Sequence, residues 1–490
     1  MKRYGLLLAL VCVLVLPACG EDQQSPEAEV QVLTYAALNE VSTEIEKSVK
    51  LFNKNHTDVQ IEIRDYSDEG GLDRLRIEMV LGQIPDIMEM HYFGTDPSRT
   101  GRNNSEIKSM TLTSWKFTGN STLERMADEY WMPYRQMAQK GYLEDLWPYI
   151  ENDPELGRDG VVHAPLKAAE VNGGLYLLFM DFRINTIMGR ESVVGNRYNW
   201  TLDDLMESFS TMPEDSTILR YNATKWEIFY NLVGPSLERY VDRSTGECSF
   251  DSDDFRSLAV FLNSFPDEVD FERQQQAEEE ILWRVRHGEQ MLEMTQIPWP
   301  VDITYRDAFW GERAAFVGYP TADGSSGNSF YAMGDVLSMS STCRNKDAAW
   351  EYIRSLIKPR RGTRHNQDAI VAFVSTPVNR SDYDLFMWGN LEQLKKQCIK
   401  GAPKNPLSFM VPWEPFTYGP EIYPMAFMTE EDVQRYETLL NNTTQLYWPE
   451  DDLSNIVWET LGAYFAGDRE LDDTIRLINN RVELYLNEQR

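Results

Sequence analysis

Alternating strands and helices near the start of the chain constrain the fold more than any other sequence feature. Residues 30–35 are mostly apolar and predict a strand, and residues 42–53 carry apolar side chains at helical spacing. Residues 59–64 alternate apolar and charged side chains, residues 72–81 again have helical spacing, and residues 85–90 are strand-like. Strands that alternate with helices in this way form parallel sheets, so the sequence predicts an α/β fold.

The rest of the chain continues this pattern, with one interruption. Residues 94–128 are rich in Gly, Asn, Ser and Thr and have little periodicity, which predicts an insertion after the third strand. It contains Trp115 and Phe117, and we expect it either to overhang a ligand cleft or to be an exposed decoration. Beyond it, the sequence predicts strands at 174–183 and 316–320, a hairpin at 240–250, and helices at 200–212, 255–264, 274–286, 347–357 and 453–489, the last broken at Gly467.

The charge and the missing motifs exclude several functional classes. The chain has 78 acidic and 47 basic residues, and its formal net charge is −31. Such a protein repels nucleic acid and anionic lipid, so we expect no nucleic-acid partner. The five histidines lack the spacing of metal ligands, and nucleophile-elbow, zinc-protease, P-loop and dinucleotide motifs are missing from the sequence. We therefore expect no catalytic residue, no metal and no cofactor.

The first residues predict export and a lipid anchor. Two basic residues precede an apolar run at 6–16, which is too short to cross a bilayer and is typical of a secretory signal. Leu16-Pro17-Ala18-Cys19 then matches a bacterial lipobox, so we expect residues 1–18 to be a signal peptide and Cys19 to be lipidated. Polar residues 19–29 predict a flexible tether. The alternative is an ordinary cleaved signal, and both interpretations place the mature protein outside the cytoplasm. Cys248, Cys343 and Cys398 remain, which leaves room for at most one disulfide.

Several short motifs, in order along the chain, resemble those of one family, the extracellular solute-binding proteins of family 1. This is the maltose-binding-like group of ABC importers. The motifs are Gly82 to Glu89, Gly141 to Leu146, Gly174 to Phe179, Asn185-Thr186, Gly318 to Gly324, Ala348 to Ile353, Glu459, Tyr464 to Gly467 and Arg481 to Leu486. The insertion at 94–128 departs from the family pattern. The resemblance covers essentially the whole mature chain.

The resemblance implies a periplasmic-binding-protein type II fold, with two α/β lobes joined by crossing hinge strands. We expect residues 30–182 and 332–372 in the first lobe, and residues 183–331 and 373–490 in the second. It further implies a monomer that captures a sugar or oligosaccharide and delivers it to ABC permease subunits, anchored by lipid on the outer face of the cell membrane. A sensor lipoprotein that presents its ligand to a membrane receptor is an alternative, and a glycan-acting enzyme is another. Polyamines, metals and phosphorylated polyols are alternative ligands within the family.

Candidate ligand-binding residues follow from the chemistry of sugars. Pyranose rings stack their C–H faces on aromatic side chains, and their hydroxyls need polar partners. In α/β folds these groups gather at the carboxyl ends of strands. On this basis and on the resemblance, the predicted ligand-binding residues are Tyr35, Glu40, Tyr92, Phe93, Phe182, Arg183, Trp226, Trp299, Tyr331 and Trp413. The alternative for each aromatic residue is packing in the hydrophobic core.

Overall fold

A computed structural model describes most of the chain in several segments. They are residues 30–68, 70–92, 130–219, 224–229, 237, 239–243, 245–267, 281–321, 324–357, 375–389, 391–392, 416–418, 421–423, 428–448 and 451–489. The predicted signal peptide, Cys19, the predicted tether, the predicted insertion at 94–128, Phe93, Cys398 and Trp413 lie outside the described residues.

The described strands and helices follow each other in an α/β order. The strands are β1 Gln31–Ala37, β2 Val59–Asp65, β3 Ile87–Glu89, β4 His91–Tyr92, β5 Tyr130–Trp131, β6 Glu170–Val171, β7 Gly174–Leu175, β8 Leu178–Arg190, β9 Val241–Asp242, β10 Glu247–Cys248, β11 Leu292–Ile297, β12 Ala314–Phe316, β13 Ser329–Met339, β14 Thr376–Pro377, β15 Phe416–Tyr418, β16 Glu421–Tyr423 and β17 Gln445–Tyr447. The α-helices are α1 Thr43–Asn55, α2 Gly71–Val80, α3 Tyr134–Gln139, α4 Trp147–Asn152, α5 His163–Ala168, α6 Glu191–Val194, α7 Leu202–Phe209, α8 Lys225–Ile228, α9 Asp253–Asn263, α10 Ile281–His287, α11 Val301–Trp310, α12 Lys346–Leu356, α13 Arg380–Asp384, α14 Glu430–Asn442, α15 Asp451–Phe465 and α16 Leu471–Gln489.

The first five elements form the predicted parallel unit. β1 lies between β2 and β3 and is parallel to both, with Leu33 opposite Ile61 and Tyr35 opposite Ile87. α1 begins after Ser42, whose hydroxyl accepts a hydrogen bond from the amide of Ile45. The predicted α/β class is therefore confirmed.

Two long antiparallel strands cross the middle of the sheet. β8 and β13 pair from Leu178 opposite Leu337 to Asn185 opposite Ser329, and the sheet order is β11-β8-β13-β3-β1-β2. The second half of β8 pairs with β11 and with β12, and both pairings are antiparallel. The strand predicted at 174–183 thus continues to Arg190. Polar Asn185 and small Gly189 break the apolar run there, which hid this extension.

The buried apolar residues form two clusters that meet along β8. The larger cluster surrounds β1, β3 and β13, and the smaller one joins the α7–α9 region to α15 and α16. Met188 belongs to the larger cluster and its neighbour Ile187 to the smaller, because successive strand side chains point to opposite faces. The larger cluster also includes residues of α11 and α14, which the sequence-based boundaries assign to the second lobe. Those boundaries stay a prediction.

Helix ends and cysteines allow further comparison with the sequence. The C-terminal helix pair breaks at Gly467, which has a positive φ of 74°, and the Thr201 side chain caps α7. The first described helix after residues 94–128 begins at Tyr134, after the short strand β5. Cys248 and Cys343 are free thiols. None of the helices in the described segments has the length and apolar character that a membrane span requires.

Candidate functional site

A buried carboxylate fixes the loop at the carboxyl end of β1. Glu89 accepts hydrogen bonds from the backbone amides of Leu38 and Asn39, at 2.8 and 3.0 Å, and from the Asn39 side chain at 3.0 Å. The Tyr35 hydroxyl donates to the same carboxylate at 2.9 Å. Burial raises the pKa of Glu89, while these donors act against that rise. Tyr35 is therefore a buried support of this loop, and exposed Glu40 follows it.

Polar and aromatic side chains share one face of the sheet along the pairing of β8 with β13. Residues directly opposite in neighbouring strands point to the same face, and residues two apart along a strand do so as well. The paired positions and their contacts define a group that we call the crossing patch: Asp181, Arg183, Asn185, Gln296, Ser329, Tyr331, Ser375 and Tyr447.

Hydrogen bonds hold the polar members of the crossing patch in place. The Arg183 Nε donates to Ser375 Oγ at 3.0 Å, and Nη1 donates to Gln296 Oε1 at 3.4 Å. Asn185 Nδ2 donates to Ser329 Oγ at 3.2 Å. Burial lowers the pKa of Arg183 from its usual value, but an arginine remains charged at any physiological pH. The patch thus combines largely buried guanidinium, amide and hydroxyl groups with the partly exposed side chains of Asp181 and Gln296.

Two tyrosines supply the aromatic surface of the crossing patch. The rings of Tyr331 and Tyr447 lie 5.8 Å apart, centre to centre, with an angle of 24° between their planes. Both side chains are only partly buried. Partly exposed rings beside fixed hydrogen-bonding groups fit a ligand that has both C–H faces and hydroxyls.

A buried ionic group lies on β11 and α11, where Glu293 points to the face of the sheet opposite to Gln296 of the patch. Arg306 forms a two-point ion pair with Glu293, and Asp302 lies one helical turn before it. Burial raises the pKa of Asp302 to about 6, against the attraction of Arg306 and Arg183. These three side chains are as buried as Arg183 and Asn185, and the Asp302 carboxylate acts on Arg183 through space.

The predicted ligand-binding residues occupy different environments. Arg183 and Tyr331 belong to the crossing patch. Phe182 points to the opposite face, where its ring meets Phe330 edge to face at 5.4 Å. Trp299 is 7% exposed and stacks on Phe386.

The remaining described candidates are not among the paired positions of the crossing patch. Trp226 is half-buried on α8. Tyr92 lies on β4, opposite Tyr130 of β5. A ligand role for the set as a whole stays a prediction.

The sequence-based set missed several members of the crossing patch. Asp181, Arg183 and Asn185 stand at alternate positions of the sequence, so their common face was visible once a strand was assumed. Tyr447 and Gln296 lie on short strands that the sequence did not mark, and only their pairing brings them to the patch. Within the described segments, His, Cys, Asp and Glu side chains form no cluster of three or more that is able to hold a metal ion.

Comparisons with known proteins give likenesses of structure only. No protein-family model matches the chain, and no curated protein sequence matches it. The sugar-binding protein MalE from Xanthomonas citri has 12% identity and a TM-score of 0.49, with 94% of this chain and 98% of that one covered. A periplasmic oligogalacturonide binding protein from Yersinia enterocolitica has 12% identity and a TM-score of 0.48, covering 94% and 99%. An extracellular solute-binding protein of family 1 from Alicyclobacillus acidocaldarius has 13% identity and a TM-score of 0.45, covering 94% and 99%.

Proposed function

We propose that this protein is an extracytoplasmic substrate-binding lipoprotein that captures a sugar or oligosaccharide and delivers it to an ABC permease. The observation that carries the proposal is the crossing patch, in which Tyr331 and Tyr447 stand beside the fixed donors of Arg183 and Asn185. The order of motifs in the sequence and the lipobox at Cys19 support the same function. No catalytic step is assigned.

The position of the crossing patch suits capture by closure. It lies on β8 and its partner β13, and the two apolar clusters meet along β8, so a ligand bound there contacts the strand where the clusters meet. A ligand that makes contacts from both sides of such a connection stabilises the closed arrangement over the open one. The permease then recognises the closed form.

A panel of ligands tests the proposal directly. The mature protein is screened by thermal shift against neutral mono- and oligosaccharides, polyamines and phosphorylated polyols, and hits are measured by calorimetry. We expect a neutral oligosaccharide to raise the melting temperature of the protein. We also expect it to change the intrinsic tryptophan fluorescence as the protein closes around the ligand. Selective stabilisation by polyamines or by phosphorylated polyols would contradict a carbohydrate ligand.

Delivery to a permease has its own measurement. The cognate ABC permease is reconstituted in vesicles. Its ATPase activity should rise when ligand-loaded protein is added and should stay low with ligand alone or protein alone. Stimulation of a receptor kinase instead would assign the protein to sensing.

Replacing Cys19 by Ala should release the mature protein from the membrane fraction. The reason is that the lipid on this residue is the proposed anchor, while the acidic body is repelled by anionic lipid. The measurement is the distribution of the protein between membrane and soluble extracellular fractions, with Cys248→Ala as the matched control. Equal membrane association of Cys19→Ala and the unaltered protein would show that lipidation is not the anchor.

A further inference from the structure

The buried carboxylate at the end of β3 is the main anchor of the loop that follows β1. Glu89 is 4% exposed, and its Oε2 atom accepts hydrogen bonds from the Leu38 amide at 2.8 Å and from the Asn39 amide at 3.0 Å. The Asn39 side chain donates to the same oxygen at 3.0 Å, and the Tyr35 hydroxyl donates to Oε1 at 2.9 Å. Hydrogen bonds to an ionised acceptor are about twice as strong as those to a neutral one. One side chain of β3 therefore fixes the backbone of residues 38 and 39.

Further contacts hold the base of this loop, residues 38–42, which we call the β1–α1 loop. Asn39 Nδ2 also donates to the backbone oxygen of His91 at 2.7 Å, which ties the loop to β4. The side chain of Leu38 is fully buried in the larger apolar cluster. Glu40 follows directly and is exposed. The loop therefore presents a carboxylate from a fixed base.

The β1–α1 loop lies toward the same edge of the sheet as the crossing patch. β3 and β13 are antiparallel, with Glu89 opposite Leu337, so the carboxyl end of β3 points along β13 toward Tyr331 of the crossing patch. β1 is parallel to β3, so the loop after β1 leaves the sheet in the same direction. In α/β folds, ligands bind beyond the carboxyl ends of parallel strands.

We propose that Glu89 is a positioning residue for ligand binding, which holds the β1–α1 loop so that Glu40 accepts hydrogen bonds from the hydroxyls of a neutral sugar. This inference rests on the proposed function. The two oxygens of an ionised carboxylate suit neighbouring hydroxyl donors, and a loop that is fixed beforehand loses less entropy on binding. Glu89 is buried and acts on the ligand only through the loop.

Glu89→Ala tests the proposal, because it removes all the acceptors of the loop at once. Calorimetry with neutral gluco- and galacto-trisaccharides measures affinity on the folded variants. We expect the affinity of Glu89→Ala to be about tenfold weaker, since apparent affinity falls with the share of time that the loop spends in its binding position. Glu89→Gln keeps the shape and an acceptor oxygen, so it should recover most of the affinity. Glu40→Gln should weaken binding by the unaltered protein but cost nothing further in Glu89→Ala, because both changes then remove the same contact.

Asp86→Ala is the matched control, because Asp86 also joins β3 to β1 but at the other end of β3. Its Oδ2 atom accepts hydrogen bonds from the Thr34 amide at 2.8 Å and from the Thr34 hydroxyl at 2.9 Å, and it immediately precedes β3. This variant should lower the melting temperature without changing the affinity. Undiminished affinity in a folded Glu89→Ala would overturn the inference. So would an equal loss in Asp86→Ala, or losses from Glu89→Ala and Glu40→Gln that simply add.

Hydrogen exchange tests the anchor without a sugar, and it uses the conservative variant in case Glu89→Ala does not fold. In Glu89→Gln, the amides of Leu38 and Asn39 should exchange about fivefold faster than in the unaltered protein, because a neutral acceptor replaces a charged one. Asp86→Asn should leave their exchange unchanged. Unaltered exchange in Glu89→Gln would overturn the inference whatever the ligand is.

The two readouts separate this inference from the proposed function. If exchange accelerates in Glu89→Gln but no trisaccharide binds to the unaltered protein, the proposed function fails while the anchoring of the loop stands. If trisaccharides bind and Glu40→Gln leaves their affinity unchanged, the proposed function stands and the positioning role of Glu89 fails.

Discussion

Replacing Trp299 by Ala is expected to lower the free energy of unfolding by about 3–5 kcal/mol, the usual cost of emptying a large buried aromatic site. Trp299 is 7% exposed, and its ring stacks on Phe386 with centres 5.4 Å apart and planes 19° apart. It stands between Pro298 and Pro300 at the start of α11, so the backbone has little freedom to close the cavity. Urea denaturation followed by circular dichroism measures the change.

The result separates packing from ligand stacking at Trp299. Trp299→Phe keeps part of the ring contact and should recover much of the stability, whereas Trp226→Ala, at a half-buried position, should cost less. Both variants control for loss of a tryptophan as such. If Trp299→Ala unfolds at the same urea concentration as the unaltered protein but loses sugar affinity, its role is in the ligand site.

The fold was accessible from the sequence where periodicity and turn residues mark it. The alternation from β1 to β3 and the break at Gly467 each have a local cause, so local reasoning located them. The short strands β11 and β17 have no such cause. They are strands because β8 and β13 offer them unpaired edges, and a pairing partner more than a hundred residues away leaves no local trace.

The candidate site was accessible only in part, for the same reason. Arg183 and Tyr331 were identified, but Tyr35 and Phe182 carry the same aromatic signal and are fully buried. Whether a strand aromatic faces the patch or the core depends on one step of register, which reverses every side chain. Phe182 and Arg183 are adjacent and point to opposite faces, so residue type alone could not separate them.

The largest expected effect on binding comes from the two tyrosines of the crossing patch. Tyr331→Ala and Tyr447→Ala should each weaken the binding of the neutral oligosaccharide by about 1–3 kcal/mol, the range of an aromatic anchor in a binding site. Their rings are mutual neighbours at 5.8 Å, so the loss in the double variant should differ from the sum of the single losses. Calorimetry on folded variants gives these values.

Two controls make the experiment decisive. Tyr331→Phe and Tyr447→Phe keep the ring and remove only the hydroxyl, so they should retain most of the affinity if stacking is the main contribution. Tyr142→Ala removes a tyrosine that is 41% exposed and outside the patch, and it should leave affinity unchanged. A folded Tyr331→Ala, Tyr447→Ala double variant with undiminished sugar affinity would place the ligand away from the crossing patch. In that case the connection between the two apolar clusters would be a structural element only.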